Sequence, residues 1–158
     1  MKPILSYFYT LDNKFFDDFP DSNLKSNKNQ KRPFYYCLKD DNGLYWMIPC
    51  TSQIEKYDAL IARALSQGKP TDKWHEIKMG GKDNILLIQD IFPVTEKYIT
   101  KAFMRNKVHQ KIASEKEQKL ILIKANKIIA LSKYKGKLFS TQADIVKIER
   151  ELLETLGR

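Results

Sequence analysis

With 158 residues, 42% of them apolar and among them eight Phe, eight Tyr and two Trp, the chain can bury one domain-sized core and is too apolar for a disordered segment. Cys37 and Cys50 are the only cysteines, too few for a disulfide framework or the usual zinc ligand set, and no apolar run approaches the roughly 18 residues that span a membrane. The net charge is +9, and residues 101–137 carry all of that excess, eleven Lys and Arg against Glu115 and Glu117, which points to a polyanion such as nucleic acid rather than to a solvated lysine-rich helix face.

The opening "MKPILSYFYT" is too short and aromatic for a secretory signal, so a cytoplasmic protein is expected. "ILSYFYT" (4–10) reads as a strand, "LDNKFFDDF" (11–19) as a short helix and "PDSNLKSNKNQ" (20–30) as a polar loop. Next comes "KRPFYYCLKDDNGLYWMIPCTSQIEK" (31–56), two aromatic strands around Asn42-Gly43, the preferred dipeptide of a two-residue type I′ turn. That turn places Tyr35 opposite Cys50, Phe34 opposite Thr51 and Arg32 opposite Gln53. Cys37 then faces Ile48, an arrangement unsuited to a disulfide with Cys50. Pro49 marks a candidate bulge, because it cannot donate to a ladder.

A helix over 52–68 follows, ending at Gly68, with Ile54, Ala59 or Ile61, and Leu65 on its apolar stripe. Residues 73–95 read as two or three strands with Gly80-Gly81 in the connection. A helical pattern runs from Asn106 to about Lys133, with Ile121, Leu122, Ala125, Ile128 and Ile129 on one face. "STQADIVKIERELLETL" (140–156) is a last helix opened by Thr141-x-x-Asp144. With no linker long enough to divide it, the chain reads as one domain, 1–158, of α+β class. Both faces of the hairpin are apolar, which favours a small antiparallel barrel with inserted and C-terminal helices.

The hairpin's open end carries the chemistry. Ser52-Gln53-Ile54-Glu55 has capping-box spacing, so Ser52 reads equally as a helix cap. A helix start also offers unpaired N–H groups to a phosphate, and Lys31, Arg32 and Lys56 would supply cations around the Thr51 and Ser52 hydroxyls. Such a site suits a phosphodiester transition state. There is no HExxH, no acidic cluster at metal spacing and no P-loop, so neither metal nor cofactor is expected. RNA can be cut without a metal through its own 2′-hydroxyl, giving a 2′,3′-cyclic phosphate and a 5′-hydroxyl.

"KRPFYY…GLYWMIPCTSQ" resembles the MazF/Kid-like ribonuclease toxins, in which a basic-Pro strand precedes a strand ending in Pro-x-Thr-Ser. A broader likeness, through "FYTLDNKFF" (8–16), the hairpin, "NILLIQDIFPVTEKYI" (84–99) and "ILIKANKIIALS" (121–132), is to the ToxN/AbiQ/CptN toxins of type III toxin–antitoxin systems. That resemblance implies an SH3-like, MazF-like barrel and a sequence-selective endoribonuclease of phage defence acting on cellular or phage RNA. It also implies inhibition by a small structured RNA, often a pseudoknot cut by the toxin from a repetitive precursor, and higher-order toxin–RNA assembly.

By the same resemblance Thr51, Ser52 and Lys56 line the cleavage site, with Lys31 or Arg32 as the strand-start base. Relatives place the lysine nearer the serine than Gln53-Ile54-Glu55 allows here, and Phe15 stands where a hydroxyl-bearing aromatic is expected, leaving Tyr9 as a substitute. Tyr9, Lys14 and Gln53 are further candidate RNA contacts, and Tyr7, Phe15 or Phe16 candidate stacking partners. Lys101, Arg105, Lys107, Lys111, Lys116, Lys124 and Lys127 would track an RNA backbone. His75 and His109 read as packing or surface residues. Two other readings stay open: a non-catalytic nucleic-acid-binding module, and a MazF-like ribonuclease held by a protein antitoxin.

Overall fold

The computed structural model describes all 158 residues, Met1–Arg158. β1 (Phe8–Leu11) leads into α1 (Asn13–Asp18), where Asp12 caps the helix by accepting from Lys14 N at 2.9 Å. The first strand is shorter than its sequence suggests, because Leu5 and Ser6 turn, with Ser6 at φ 71, and leave Ile4 and Leu5 exposed. The polar loop expected over 20–30 contains no helix or strand, and it runs on to residue 33, so Lys31 and Arg32 precede β2 instead of starting it.

β2 (Phe34–Lys39) and β3 (Tyr45–Thr51) form the predicted hairpin in a different register. Asp40 N bonds Leu44 O at 3.0 Å, so the loop has three residues, with Gly43 alone at positive φ (85). The Asp40 side chain selects this turn: Oδ1 accepts from Asn42 N at 2.9 Å and Leu44 N at 3.0 Å, and Oδ2 from Trp46 Nε1 at 2.9 Å. A bulge at Cys37, not Pro49, then shifts the ladder again, so Tyr35 faces Ile48 and Phe34 faces Pro49. The expected pairs Tyr35–Cys50, Phe34–Thr51 and Arg32–Gln53 are therefore not formed. Both cysteines are buried free thiols.

Beyond α2 (Ile54–Ser66), β4 (Trp74–Met79) and β5 (Lys82–Leu87) turn on Gly80-Gly81 at φ 59 and 80, a two-residue loop only glycine fills easily. β6 (Phe92–Val94) and β7 (Ile99–Ala102) complete the main sheet. The predicted helix over 106–114 is instead a hairpin, β8 (Met104–Arg105) and β9 (Val108–His109), with Asn106 and Lys107 both left-handed at φ 50 and 64. α3 (Glu115–Lys135) starts where Ser114 Oγ accepts from Glu117 N at 3.2 Å, and α4 (Ile145–Thr155) where Asp144, not Thr141, caps by accepting from Lys147 N at 3.2 Å.

The main sheet is antiparallel, in the order β4-β5-β3-β2-β1-β7, with β6 also on β3. Its ends, β4 and β7, do not pair, so the expected barrel is not closed. One edge of β3 changes partner along its length: Tyr45–Met47 pair with β6, Cys50 and Thr51 with β5. Pro49, which has no N–H to donate, sits near that change. The sheet forks there instead of curling shut.

α3 contributes Ile121, Ala125, Ile128 and Ile129, and α4 contributes Ile145, Ile148 and Leu152, to a core that holds Phe8, Phe15, Phe34, Trp46 and Phe92. Leu122, expected on the inner face of α3, is 38% exposed. A smaller cluster of Tyr57, Ala64, Trp74, Ile85 and Leu87 seats α2 on β4 and β5, with Ile61 packed against it, while Ala59 and Leu65 face solvent.

Replacing Asp40 by Ala leaves the indole N–H of Trp46 and two turn amides without their acceptor. A loss of roughly 2–3 kcal/mol in urea unfolding is expected; a midpoint unchanged from the parent protein contradicts this account of the turn.

Candidate functional site

β3 delivers Thr51 and Ser52 to the start of α2. Thr51 is buried and pairs with Ile85 of β5, and its Oγ1 accepts from Gln53 N at 3.2 Å. Ser52 is exposed, and only its carbonyl takes part in the turn, accepting from Ile54 N at 2.8 Å. The capping box expected from the sequence is not formed: Gln53 occupies the cap position and no side chain bonds the first turn. The Ser52 hydroxyl thus stands free beside the unpaired N–H groups of a 13-residue helix, whose partial positive charge favours an anion. Gln53 and Lys56 are also exposed, and Lys56 lies one turn beyond Ser52 with its ammonium 5.3 Å from the Tyr57 ring centre.

The basic pair at the other side divides. Arg32 points inward, with Nε donating to Ser26 O at 2.6 Å and Nη1 to Cys50 O at 3.0 Å, and so braces the 20–33 loop against the end of β3. Burial lowers its pKa from the usual guanidinium value, opposed by the charges of Tyr57, Cys50 and Asp90. Lys31 points outward. The two diverge because Lys28, Asn29 and Gln30 are all left-handed, at φ 48, 56 and 65, and Asn27 O accepts from both Lys31 N and Arg32 N at 2.9 and 3.0 Å. Asn27 is itself pinned, its amide donating to Leu11 O and Asn13 Oδ1.

From the start of α2 a cleft of about 420 Å³ runs along the helix, lined by Lys25, Lys56, Arg63, Lys69 and Lys73, with Tyr57 and Trp74 as apolar walls. None of these five cations joins an ion pair of the structure. Lys73 instead lies over the rings of Trp74 and Phe139, 4.6 and 4.8 Å from their centres. Asp90 is the one acid among the lining residues; it is 5% exposed and its Oδ1 has no hydrogen-bond partner. Burial pushes its carboxyl up to about 6, against the opposing pull of Lys25, Gln89 and Arg32.

Other residues expected at an RNA surface are scattered. Tyr9 is in the core, its hydroxyl accepting from Ile4 N at 2.6 Å, and Phe15 is wholly buried among Phe16, Phe19, Phe92 and Tyr98. Tyr7 packs on His109 at 4.4 Å with Lys111 above its ring, and Phe16 lies against the core. Lys14 is exposed on α1 and pairs with Asp18 at 3.2 Å. Lys101, Lys107, Lys111 and Lys116 are exposed on four separate pieces of chain. Arg105 packs its stem beside Gly80 and its guanidinium 5.6 Å from the Phe103 ring centre, with Nε unpartnered. Lys127 pairs with Asp72 at 2.6 Å. Lys124 turns inward to Trp74 O and His75 Nδ1, both at 3.0 Å, while Glu117 holds the other ring nitrogen of His75. His75 and His109 are therefore packing residues, as expected; His109 Nε2 lies 2.8 Å from Phe8 O.

The sequence reading missed Lys25, Arg63, Lys69, Lys73 and Asp90. Helical spacing on α2 gathers Lys56, Leu60, Arg63, Ala64 and Gln67 on one side, a signal present in the sequence. The Lys25, Lys73 and Asp90 contributions depend on long-range packing. No group of three or more His, Cys, Asp or Glu side chains is placed to hold a metal ion, and no helix is long and apolar enough to cross a membrane.

No protein-family model matches the sequence, and no curated protein does. Solved structures that share the fold include two described by their activity or system. One is AbiQ, a lactococcal anti-phage endoribonuclease of the type III toxin–antitoxin system, with TM-score 0.71 and 14% identity over 96% of this chain and 98% of its own. The other comes from bacterial type III toxin–antitoxin systems with selective toxin inhibition by a non-coding RNA pseudoknot, with TM-score 0.71 and 19% identity over the same shares.

Asp90 supplies a pH test. Its folded pKa lies above the unfolded value near 3.8, so ionisation opposes folding. That penalty is fully present above about 6, fades as pH falls from 6 to 3.8, and is gone below 3.8, where both states are protonated. Asp90→Asn is expected to stabilise the protein at pH 8, by at most about 3 kcal/mol, and to lose most of that gain by pH 4.5 and nearly all of it below pH 3.5, as thermal melting at each pH will show; a less stable variant at pH 8 contradicts the assignment.

Proposed function

We propose that this protein is an endoribonuclease toxin of a type III toxin–antitoxin system, cutting RNA at the junction of β3 and α2. The observation that carries the reading is the free Ser52 hydroxyl beside the open N-terminus of α2, one turn before Lys56, which lines a cleft with five unpaired cations. The whole-length likeness to an anti-phage endoribonuclease supports it.

In this reading the 2′-hydroxyl of the substrate loses its proton and its oxygen bonds to the phosphorus. The P–O5′ bond breaks, leaving a 2′,3′-cyclic phosphate and a 5′-hydroxyl. The α2 amides, Ser52 Oγ, Lys56 and Lys31 stabilise charge on the phosphoryl oxygens. Thr51 fixes the turn through Gln53 N, and Arg32 holds the end of β3 through Cys50 O. These groups act without a metal ion, since RNA provides its own nucleophile.

The inhibitor in this reading is a structured RNA. The +9 net charge and the likeness to a system whose toxin a non-coding RNA pseudoknot inhibits both favour RNA over a protein antitoxin. Processing of that RNA from a repetitive precursor, and assembly of several toxins with several RNAs, belong to the same proposal.

Ser52→Ala is expected to slow cutting of a mixed-sequence RNA in EDTA by about 100-fold or more, with unfolding changed by less than about 0.5 kcal/mol because no cap bond is lost. Undiminished cutting by a folded variant rules out a catalytic serine. RNA affinity should fall about a hundredfold between 50 and 200 mM salt if about five phosphates are neutralised, as titration across that range will show.

A further inference from the structure

The α2 cleft does more than attract a polyanion, because its lining includes a carboxyl group, Asp90, one oxygen of which has no hydrogen-bond partner. That oxygen, Asp90 Oδ1, is buried. A buried acceptor without a donor is costly, and a lysine-lined channel for phosphates alone has no use for a carboxylate.

We propose that the cleft is a base-reading subsite, in which Asp90 accepts from the N–H edge of an unpaired guanine while the surrounding cations hold the flanking phosphates. The proposal rests on the ribonuclease reading and names what lies beside the scissile bond.

Guanine follows from the chemistry of the four bases. An ionised carboxylate only accepts. Guanine presents N1–H and the exocyclic amine side by side, two donors for one carboxylate. Adenine and cytosine set an acceptor nitrogen next to their amine, and uracil flanks its single N–H with two carbonyls. With a pKa of about 6 the group is mainly ionised at neutral pH, and Arg32 and Lys25 favour that form.

The dimensions agree. A volume of about 420 Å³ lies within the range of small-ligand pockets, roughly 300–1,000 Å³. From Lys56 to Gln67 the wall of α2 extends about 16 Å, enough for several stacked nucleotides at roughly 3.4 Å each. Tyr57 and Trp74 offer ring surface against which a base can lie. The cleft begins beside Lys56, one turn from Ser52, so the base it reads is a near neighbour of the phosphate being cut.

The test measures binding of fluorescent oligouridines carrying one central G, A, C or U, using Ser52→Ala protein so that bound RNA stays whole. The G oligomer is expected to bind about tenfold more tightly than the other three. Adding Asp90→Asn should abolish that preference while the all-uridine oligomer still binds, in protein shown by thermal melting to be folded. Adding Arg63→Glu should weaken all four oligomers together and leave their ratios unchanged.

A guanine preference that survives Asp90→Asn, equal binding of all four bases, or indifference to Arg63→Glu overturns the proposal. Failure to bind any oligomer by protein whose Ser52 parent cuts long RNA overturns it too and leaves the ribonuclease reading intact. An Asp90-dependent guanine preference in protein whose Ser52 parent cuts no RNA supports the subsite and rejects the ribonuclease reading.

Discussion

The structure depends on β3 being enclosed. All seven of its residues are buried, β2 lies along one edge, and β6 and then β5 lie along the other. A strand held on both edges and both faces has little freedom to shift, so the residues leaving its end are set to a fixed position. Thr51 is the last of them to be paired, and Ser52 the first to be free. The Ser52 hydroxyl therefore sits where the most constrained backbone meets a helix start, an arrangement that places it without requiring a side-chain cap.

Around that anchor the supporting contacts point to the same place. Arg32 ties the irregular 20–33 segment to Cys50 O, and the Tyr57–Trp74–Ile85 cluster seats α2 on the β4–β5 hairpin. Two features work against stability there. Lys28, Asn29 and Gln30 occupy left-handed backbone without glycine, and Asp90 keeps a buried oxygen unpaired. Each costs of order 1–3 kcal/mol. Both lie beside the cleft or the basic pair, away from the aromatic core, and such local costs commonly mark binding sites.

Much of the fold was legible because local chemistry specified it. Asn13–Asp18 follows an Asp cap, Gly80-Gly81 makes the two-residue turn its composition demands, and the inner face of α3 matches its helical period at Ile121, Ala125, Ile128 and Ile129. The errors arose where one local signal competed with another. Asn42-Gly43 suggested a two-residue turn, but the Asp40 carboxylate bonds two amides and an indole and thereby stabilises a three-residue one. Asn106-Lys107 lies in a stretch of helix-forming residues, yet the real start signal is Ser114-x-x-Glu117 further on. Within the candidate site, the place of Thr51-Ser52 at the junction of strand and helix was readable from spacing, but the capping role that spacing gave Ser52 is not formed. The cleft was not readable, since Lys25, Lys73 and Asp90 meet only through tertiary packing, and the excess charge of 101–137 proved to be divided among several elements.

The composition of the cleft also bears on when it can assemble during synthesis. Its lining begins at Lys25 and ends at Thr141, which is held in place by Gln89 Nε2 at 3.1 Å. Ser52 leaves the ribosome early, but the cleft that starts one turn beyond it is complete only after Thr141 has emerged. Partial chains displaying the hydroxyl therefore lack the finished groove, and translation itself delays assembly of the site until the product is nearly whole.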